Sequence, residues 1–569
     1  MTADHASQTH PMRRLLQLLK PERRELAIVV AFAIGVGVLT LATPVAVQSL
    51  VNIVSFGGLT QPLLILAILL LAFLSLAGTI RAFKVYIVEL MQRRLFVRVV
   101  TDLGFRLPRV RVESFDRNHG PELVNRFFDV LTVQKVGATL LLDGVAVVLQ
   151  TVIGLLILAF YHPFLLAFDV VLIAGIAIIL FIMGRGAIRT AIEESKAKYA
   201  VAASLEEIAR SPLSFKQVGG PDLAQSRADA LAVEYVEARQ RHYRVVFRQI
   251  VGSLALQALA ATALLSLGGW LVINGQLTLG QLVASELIVS IVLASFAKMG
   301  QKLESFYDLL AAVDKLGQLL DLPLERNGGE EAPTSAKGAE LALIDLNYEY
   351  PHAANAAKGI NLRVSSGDSV LILGGHGSGK STLADLIYGL RSPTSGRIEL
   401  DGVDIREISL DSLRRHMAVV KDVEMIDGTI AENVCMGRKE VTPSDVRDAL
   451  EAIGMLEEIK GLPEGTATVL NHRGAPLSAG QARRLMLARA IAGKPRLLVI
   501  DEIIEALDDE AQVKAMNALI GRNHSWTLIM LGNSDYQHAR INRRIRLNDG
   551  MIDPNGAGFA AASTEEVAS

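Results

Sequence analysis

Long apolar stretches alternate with charged ones through the first half of the chain. Six of these stretches are long enough to cross the roughly 30 Å hydrocarbon core of a bilayer as helices. They cover residues 26–50, 62–80, 137–160, 164–184, 250–273 and 282–296, and the last is the shortest. Beyond residue 340 the pattern predicts a soluble α/β domain. We therefore expect a membrane bundle of six transmembrane helices fused to an α/β domain.

Basic residues are distributed unevenly around these six segments. Three short links, residues 51–61, 161–163 and 274–281, contain no Lys, Arg, Asp or Glu. Cytoplasmic flanks of membrane helices carry the excess of Lys and Arg, so both chain ends are predicted to be cytoplasmic in a multi-pass protein of the cell (inner) membrane. Buried helices of a soluble enzyme would not show this asymmetry. The basic residues that flank the first two segments are Arg13, Arg14, Lys20, Arg23, Arg24, Arg81, Lys84, Arg93, Arg94 and Arg98.

The two long links between the segments are rich in charged residues that favour helices. Each is interrupted once by a helix-breaking patch, at residues 113–121 and 211–221. We expect two helical arms that turn at these patches. The predicted organisation is an N-terminal cytoplasmic segment at 1–25, a transmembrane domain at 26–324, a linker at 325–339, the α/β domain at 340–552 and a disordered tail at 553–569.

Composition narrows the classes of protein that fit the sequence. With 51% hydrophobic residues, the chain is too apolar for an ordinary soluble protein, and we expect much of it to lie in lipid. A formal net charge of −2 argues against a nucleic-acid partner, since binding a phosphate backbone needs a basic surface. Cys435 is the single cysteine, which excludes an internal disulfide and a cysteine-based metal site.

The segment LGGHGSGKSTL, residues 373–383, has the spacing of a nucleotide-binding loop. Its glycines let consecutive backbone N–H groups point at phosphate oxygens. The Lys380 ammonium can reach the β- and γ-phosphates, and the Ser381 hydroxyl can ligate Mg²⁺. The sequence thus predicts a nucleoside triphosphate site, whose loop contacts are Gly374, Gly375, His376, Gly377, Ser378, Gly379, Lys380, Ser381 and Thr382.

A second apolar run, LLVID at residues 497–501, ends in the carboxylate of Asp501 and comes after the segment LSAGQ, residues 477–481. A carboxylate at the end of a buried strand can hold the Mg²⁺ shell. The adjacent Glu502 can orient or deprotonate an attacking water.

Together with the six segments, these motifs resemble the ATP-binding cassette (ABC) exporters of the half-transporter type, in which one membrane domain is fused to one nucleotide-binding domain. The resemblance covers nearly the whole chain and implies ATP and Mg²⁺ as cofactors in an ATP hydrolase that drives export. It implies that Tyr350 stacks on adenine, with Tyr348 as an alternative for that role. It further implies a dimer, homomeric or heteromeric, in which one subunit closes over the ATP of the other through Ser478, Ala479, Gly480, Gln481 and Asp508.

Within the membrane half, residues 115–129 and 269–284 are similar to the branch that exports proteins or peptides in bacteria, which predicts that kind of cargo. Asp143, Asp169 and Glu286 lie within spans, and Lys298 lies near a boundary. Ionised groups there are costly, so we expect each either to have a functional role or to be satisfied near the interface, by snorkelling or by a hydrogen bond between helices.

Four positions depart from the family pattern. Lys421 stands where the family has a glutamine that ligates Mg²⁺, and an ammonium has no lone pair to offer a cation. Asn533 stands where a histidine contacts the γ-phosphate, so it brings no positive charge to the transition state. His472 replaces a glutamate before the signature, and Ala479 replaces a glycine. We expect retained ATP binding with slow hydrolysis, unless residues elsewhere compensate.

Two alternatives stay open at this point. In a heteromeric pair, this chain's own phosphate loop with Asn533 would form the slow site, and its nearly intact LSAGQ would complete the partner's fast site. A different class of function is a regulatory or scaffolding membrane protein that binds ATP without pumping. A soluble kinase with a membrane anchor is excluded, because it would need neither LSAGQ nor six spans.

Overall fold

The structure is a computed structural model that describes residues 11–55, 60–116, 120–297, 299–335, 337–350, 355–521, 525–535 and 540–553. The first ten residues, Lys298 and the predicted tail beyond residue 553 lie outside these ranges. The chain divides into two compact units. One consists of Met1–Val110 and Ser114–Pro323, and the other of Arg111–Glu113 and Leu324–Ser569.

The first unit, here called the membrane unit, is built from helices. They are α1 (Pro11–Leu19), α2 (Arg23–Thr40), α3 (Ala42–Ser55), α4 (Thr60–Arg106), α5 (Gly120–Asn125), α6 (Asp129–Thr139), α7 (Val145–Tyr161), α8 (Pro163–Ala177), α9 (Ala187–Arg210), α10 (Pro212–Phe215), α11 (Gly220–Ile273), α12 (Leu279–Ala297) and α13 (Met299–Leu320). Two π-helical turns, Leu140–Gly144 and Ile178–Met183, lead into α7 and follow α8.

Among the described residues, five helical stretches are long and apolar enough to cross a membrane: Pro11–Val54, Gln61–Arg109, Leu123–Phe160, Pro163–Met183 and Gly220–Ile273. The sixth predicted segment falls in α12, whose described apolar part, Leu279–Ile291, is shorter. Large apolar side chains on these helices are exposed, including Leu71, Phe160 and Phe181. A helix with an exposed apolar surface is stable in lipid, because its backbone groups are paired internally. The chain is a multi-pass membrane protein.

The first predicted span is not one continuous helix. Helix α2 ends at Thr40 and α3 begins at Ala42. Pro44 has no N–H to donate to the carbonyl of Thr40 four residues earlier, so the hydrogen-bond ladder is interrupted at this point. The break explains why the segment forms two helices joined at Leu41.

Two helices are much longer than a bilayer is thick. At 1.5 Å per residue, the 47 residues of α4 extend about 70 Å and the 54 residues of α11 about 80 Å. The turn predicted at residues 211–221 lies between α9 and α11, where α10 is followed by Gly219 in the left-handed region at φ 82°. The structure therefore contains an extended antiparallel arm. Part of the other predicted patch, residues 117–119, lies outside the described residues.

The second unit is here called the ATPase unit, after the activity that the sequence resemblance implies. Its described strands are β1 (Leu341–Glu349), β2 (Asn355–Val364), β3 (Ser369–Leu373), β4 (Ser395–Leu400), β5 (Val403–Asp404), β6 (Met417–Val420), β7 (Gly428–Thr429), β8 (Val469–Leu470), β9 (Leu497–Asp501), β10 (Thr527–Gly532), β11 (Arg543–Asn548) and β12 (Met551–Ile552). Its helices are α14 (Lys380–Ile387), α15 (Leu410–His416), α16 (Ile430–Cys435), α17 (Pro443–Ala452), α18 (Leu456–Lys460), α19 (Ala479–Ala492) and α20 (Asp509–Ile520).

The main sheet of the ATPase unit has the strand order β12-β11-β3-β10-β9-β6, and β11, β3, β10, β9 and β6 run parallel. A smaller antiparallel sheet has the order β2-β1-β4-β5. The central strands of the main sheet, β3, β10 and β9, are buried on both faces. In β9, Leu497 and Val499 pack into one apolar cluster, and Leu498 and Ile500 into the other. This alternation follows from the two-residue period of a strand and gives the unit two cores separated by the sheet.

Candidate functional site

The register of the parallel strands places the ends of four of them side by side. Leu373 of β3 pairs with Gly532 of β10, and Leu531 of β10 pairs with Asp501 of β9. Val420 of β6 pairs with Ile500 of β9. Because parallel strands all end at the same edge of a sheet, the residues that follow them meet there. The candidate site is this edge.

The phosphate loop connects β3 to α14 and depends on its glycines. Gly379 has φ 102°, and a Cβ built on it would lie 2.2 Å from the carbonyl oxygen of Ala356. Gly377 also has a positive φ, 78°. A Cβ on Gly374 would lie 2.5 Å from the carbonyl oxygen of Leu547. Only glycine fits these positions, and the resulting turn points the first N–H groups of α14 toward the loop.

The Lys380 side chain is 4% exposed and its ammonium lies inside the loop. It donates to the carbonyl oxygens of Gly374, at 2.5 Å, and Gly375, at 2.9 Å. It also lies 3.1 Å from Glu502 Oε1 and donates to Asn533 Oδ1 at 3.0 Å. The structure thus brings together three predicted site residues that follow three different strands: Lys380 after β3 and its loop, Glu502 after β9, and Asn533 after β10.

Asp501 has the environment expected of a metal ligand. The residue is 4% exposed and its Oδ1 has no hydrogen-bond partner among the described residues. Burial raises the pKa of its carboxyl above the ordinary value, and a hydrogen bond from Ser381 and the charge of Lys421 oppose that rise. An orphaned buried carboxylate oxygen beside a hydroxyl fits a hard cation such as Mg²⁺, which prefers oxygen ligands.

Lys421, the first residue after β6, is bound to the protein. Its ammonium donates to Asp385 Oδ1 at 2.6 Å and lies 3.5 Å from the carbonyl oxygen of Ser381. Asp385 is one helical turn after Ser381 in α14 and also accepts from Arg391 at 3.3 Å. The carboxylate of Asp385 is therefore shared between two cations, and Lys421 is fixed next to the predicted Mg²⁺ ligand Ser381.

The two aromatic candidates for adenine stacking differ in burial. Tyr348 is 6% exposed, packs into the core and accepts a hydrogen bond from Arg391. Tyr350 is half-buried, its hydroxyl lies 3.1 Å from Thr382 Oγ1, and the Arg391 guanidinium lies 5.0 Å from its ring centroid. Tyr350 is the ring with a surface left for a ligand, since Tyr348 is enclosed by its neighbours.

Glu502 follows β9 in a strained conformation, with φ 54° in the left-handed region. Its backbone N–H donates to the carbonyl oxygen of Leu531, and its Oε1 accepts from Asn533 Nδ2 at 3.2 Å. Lys380, Glu502 and Asn533 thus contact one another pairwise.

Sequence reasoning missed one residue of this network, Glu505. Its Oε1 accepts from the backbone N–H groups of Asn533, at 2.5 Å, and Ser534, at 2.9 Å. The available signal was a carboxylate within the segment that joins Glu502 to Asp508. No local pattern indicated that it would contact the loop after β10.

The signature segment and Asp508 both begin helices. Ser478 accepts from the N–H of Gln481, and the Gln481 side chain accepts from the N–H of Ser478, which forms a capping box at the start of α19. Asp508 accepts from the N–H of Ala511 at the start of α20. The Gln481 side chain also donates to Glu458 Oε2 at 2.8 Å. The role of the two segments at another subunit's ATP stays a prediction. Gly480 has open space around it, as does the exposed Ala479.

The acidic residues predicted within spans have different surroundings. Asp143 pairs with Lys302 at 2.7 Å. Asp169 is 3% exposed, and neither of its carboxylate oxygens has a partner among the described residues. The Oε2 atom of Glu286 likewise has no partner in the described part of the chain.

Two family models match the chain. Residues 26–296 match the ABC transporter transmembrane region, and residues 357–505 match the ABC transporter model. Both matches fall where the membrane helices and the phosphate-loop domain were described above.

Individual proteins are similar over most of the chain. The ATP-dependent lipid A-core flippase of Cupriavidus metallidurans is 28% identical over 96% of this chain and 93% of its own length. For the flippases of Thiobacillus denitrificans and Chromobacterium violaceum, at 32% and 30% identity, the match spans 59% and 60% of their length. The alpha-hemolysin translocation ATP-binding protein of Escherichia coli O157:H7 is 28% identical over 55% of this chain and 45% of its own.

A solved structure of a bacterial Atm1-family ABC exporter with ATP bound has the same fold, with a TM-score of 0.79. It covers 93% of this chain and 94% of its own at 20% identity.

Proposed function

Because the chain belongs to the ABC transporter family, with one membrane domain and one ATP-binding domain in the half-transporter arrangement, we propose that it is a subunit of an ATP-driven exporter. The observation that supports this most is the meeting of the phosphate loop with Asp501 and Glu502 at one edge of one sheet. That arrangement provides a triphosphate cradle, a metal ligand and a base for water in one place.

When ATP binds, the Lys380 ammonium would exchange the Glu502 carboxylate for phosphate oxygens. In the structure its ammonium contacts Glu502. The triphosphate of ATP carries more negative charge than one carboxylate, so the ammonium would move to the phosphate oxygens. Glu502 would then be free to accept a proton from the attacking water. Ser381 Oγ and Asp501 would hold Mg²⁺, which supplies charge neutralisation at the β- and γ-phosphates.

A second half-transporter would complete each ATP site. The capped N-terminus of α19, which begins after Ser478, offers N–H groups to the phosphates of the partner's ATP. Closure of two ATPase domains over two ATP molecules would switch the membrane domains between inward and outward access, and hydrolysis would reset them. The partner is a second copy of this chain or a different half-transporter.

Hydrolysis at this chain's own phosphate loop is proposed to be slow. The ammonium of Lys421 is occupied by Asp385 and supplies no lone pair to Mg²⁺. The Asn533 amide donates a single hydrogen bond, to Glu502, and carries no charge. Loss of one transition-state contact typically lowers a rate by about 10²-fold or more. Turnover is therefore expected well below about 1 s⁻¹ in a homodimer.

For the substrate we propose an amphiphilic lipid. The relatives that match over nearly the whole chain are named lipid A-core flippases, whereas the protein-translocating relative matches over about half of it. This replaces the protein or peptide cargo predicted from residues 115–129 and 269–284. We further propose the cell (inner) membrane as its location, with both chain ends in the cytoplasm, from the charge asymmetry of the links.

The test is reconstitution of the purified chain in vesicles of phosphatidylethanolamine and phosphatidylglycerol that contain a fluorescent phospholipid. Vanadate-sensitive phosphate release and ATP-dependent movement of the fluorescent lipid between leaflets are measured together. We expect both activities in the wild type and neither in Glu502→Gln, which should still bind ATP. An amphipathic peptide added in place of the lipid probe should stimulate hydrolysis less. Tight ATP binding without hydrolysis or lipid movement would instead support the regulatory or scaffolding function.

A further inference from the structure

The loop after β10 is held by a carboxylate from the neighbouring strand end. Glu505 lies three residues beyond Glu502 on the segment that leaves β9. Its Oε1 accepts from two consecutive backbone N–H groups, those of Asn533 and Ser534. Hydrogen bonds from N–H groups to an ionised carboxylate are about twice as strong as neutral ones. The backbone of the loop is therefore fixed relative to the end of β9.

Fixing that backbone also fixes where the Asn533 side chain can point. Its Nδ2 donates to Glu502 Oε1 at 3.2 Å and its Oδ1 accepts from Lys380 Nζ at 3.0 Å. An amide can bridge a carboxylate and an ammonium in this way only in one orientation, with its nitrogen toward the carboxylate and its oxygen toward the ammonium. The side-chain amide and the backbone N–H of Asn533 thus contact Glu502 and Glu505, two carboxylates of the same segment.

We propose that Glu505 is a positioning residue of the ATP site, which acts through Asn533. By holding the backbone of Asn533 and Ser534, it keeps the Asn533 amide between Lys380 and Glu502, where a hydrogen bond from the amide is available for the hydrolytic step. The inference rests on the proposed function, because the roles of Glu502 and Asn533 are part of that proposal. Among the described residues, the Glu505 side chain forms its hydrogen bonds with the backbone of the loop after β10 and not with the phosphate loop or Glu502.

The charge of Glu505 matters as well as its length. Glutamine keeps a carbonyl oxygen at the same distance along the side chain, so it can still accept from both N–H groups, but as a neutral acceptor. Alanine leaves the two N–H groups to water and frees the loop. A positioning role therefore predicts a graded series, with the glutamine variant between the wild type and the alanine variant.

The experiment is a double-mutant cycle on the full-length chain in lipid nanodiscs. Glu505→Ala, Glu505→Gln, Asn533→Ala and the double variant Glu505→Ala with Asn533→Ala are compared in single-turnover phosphate release, which follows slow rates, and in binding of a fluorescent ATP analogue. We expect Glu505→Ala to lower the hydrolysis rate about tenfold in the wild-type background and not at all in the Asn533→Ala background, because residues in one hydrogen-bond network are not additive. ATP affinity should change less than about twofold.

The matched control is Glu510→Ala, which removes an exposed glutamate that pairs with Lys514 within α20. It should leave the rate, the affinity and the melting temperature unchanged. Equal losses from Glu505→Ala in both backgrounds would show that Glu505 does not act through Asn533 and would overturn the inference. So would a loss of ATP affinity and melting temperature that parallels the loss of rate, since that pattern indicates a structural role. Failure of the proposed function would show separately, as hydrolysis that survives Glu502→Gln.

Discussion

In the proposed ATP site, Asp501 differs from Lys421 and Asn533 in what satisfies its polar groups. Asp501 matches the pattern and keeps a buried oxygen without a protein partner. Lys421 and Asn533 depart from it, and both are engaged by other side chains, Lys421 by Asp385 and Asn533 by Glu502. The matching residue retains capacity for a ligand, whereas the two departing ones are bound to the protein.

The largest effect is expected at Lys380, the matching residue with the most contacts. Lys380→Ala removes the fixed cation of the phosphate cradle, so ATP binding should be lost within the range of a fluorescence titration. Lys439→Ala, which removes an exposed lysine of the same unit, is the control and should bind normally. Unchanged affinity in Lys380→Ala would mean that the loop is not the nucleotide site.

The next largest effect is expected at Asp501, the proposed ligand of Mg²⁺. Asp501→Asn keeps the size of the side chain but removes the charge that a divalent cation needs, so hydrolysis with Mg²⁺ should fall about 10²-fold or more. Binding of ATP in the presence of a chelator should stay close to that of the wild type. A variant that retains the Mg²⁺ dependence of the wild type would place the metal elsewhere.

A smaller effect distinguishes the two tyrosines. Stacking of a base on an aromatic ring contributes about 1 to 3 kcal/mol, so Tyr350→Ala should weaken ATP binding by roughly fivefold to 150-fold. GTP should be affected in the same direction, because stacking does not read the base edge. Tyr348→Ala should lower the melting temperature instead, since that ring is enclosed in the core. The reverse pattern would assign adenine to Tyr348.

The smallest effect is expected from restoring the two family residues at the positions that depart from the pattern. Lys421→Gln with Asn533→His restores the two family residues, and the rate of phosphate release should rise several-fold, because a lone pair for Mg²⁺ and a donor of positive charge return. The gain is limited because Asp385 loses one of its two cations in the same variant. Brisk wild-type turnover that the exchange leaves unchanged would show that the departures carry no cost.

The parts of the site that are contiguous in the chain could be predicted from the sequence. The phosphate loop and the pair Asp501 and Glu502 are read from single segments whose local order determines their geometry. The bonds of Lys421 and Glu505 were not predicted, because they join residues 36 and 28 positions apart that meet only through strand register. One signal was available, since Asp385 follows Ser381 by one helical turn and so shares its face of α14.

In the membrane half, the apolar segments located the helices but not their limits. Among the described residues, five helical stretches are long and apolar enough to span, and they overlap five of the six predicted segments. The break at Leu41 was missed although Pro44 was visible, because the hydrophobicity of the segment is continuous across it. The partners of Asp143, Asp169 and Glu286 could not be predicted from spacing, since a buried carboxylate is recognised only from the helices packed around it.

The length of α11 has a mechanical consequence. The helix runs without an interior proline from Asp222 to Ile273, so no missing N–H interrupts its hydrogen-bond ladder. A continuous helix about 80 Å long converts a small angle into a large displacement, and a tilt of about 5° at one end moves the other by about 7 Å. A helix of this kind can serve as a lever arm. The displacement that it produces for a given tilt depends on the number of its residues rather than on any one side chain.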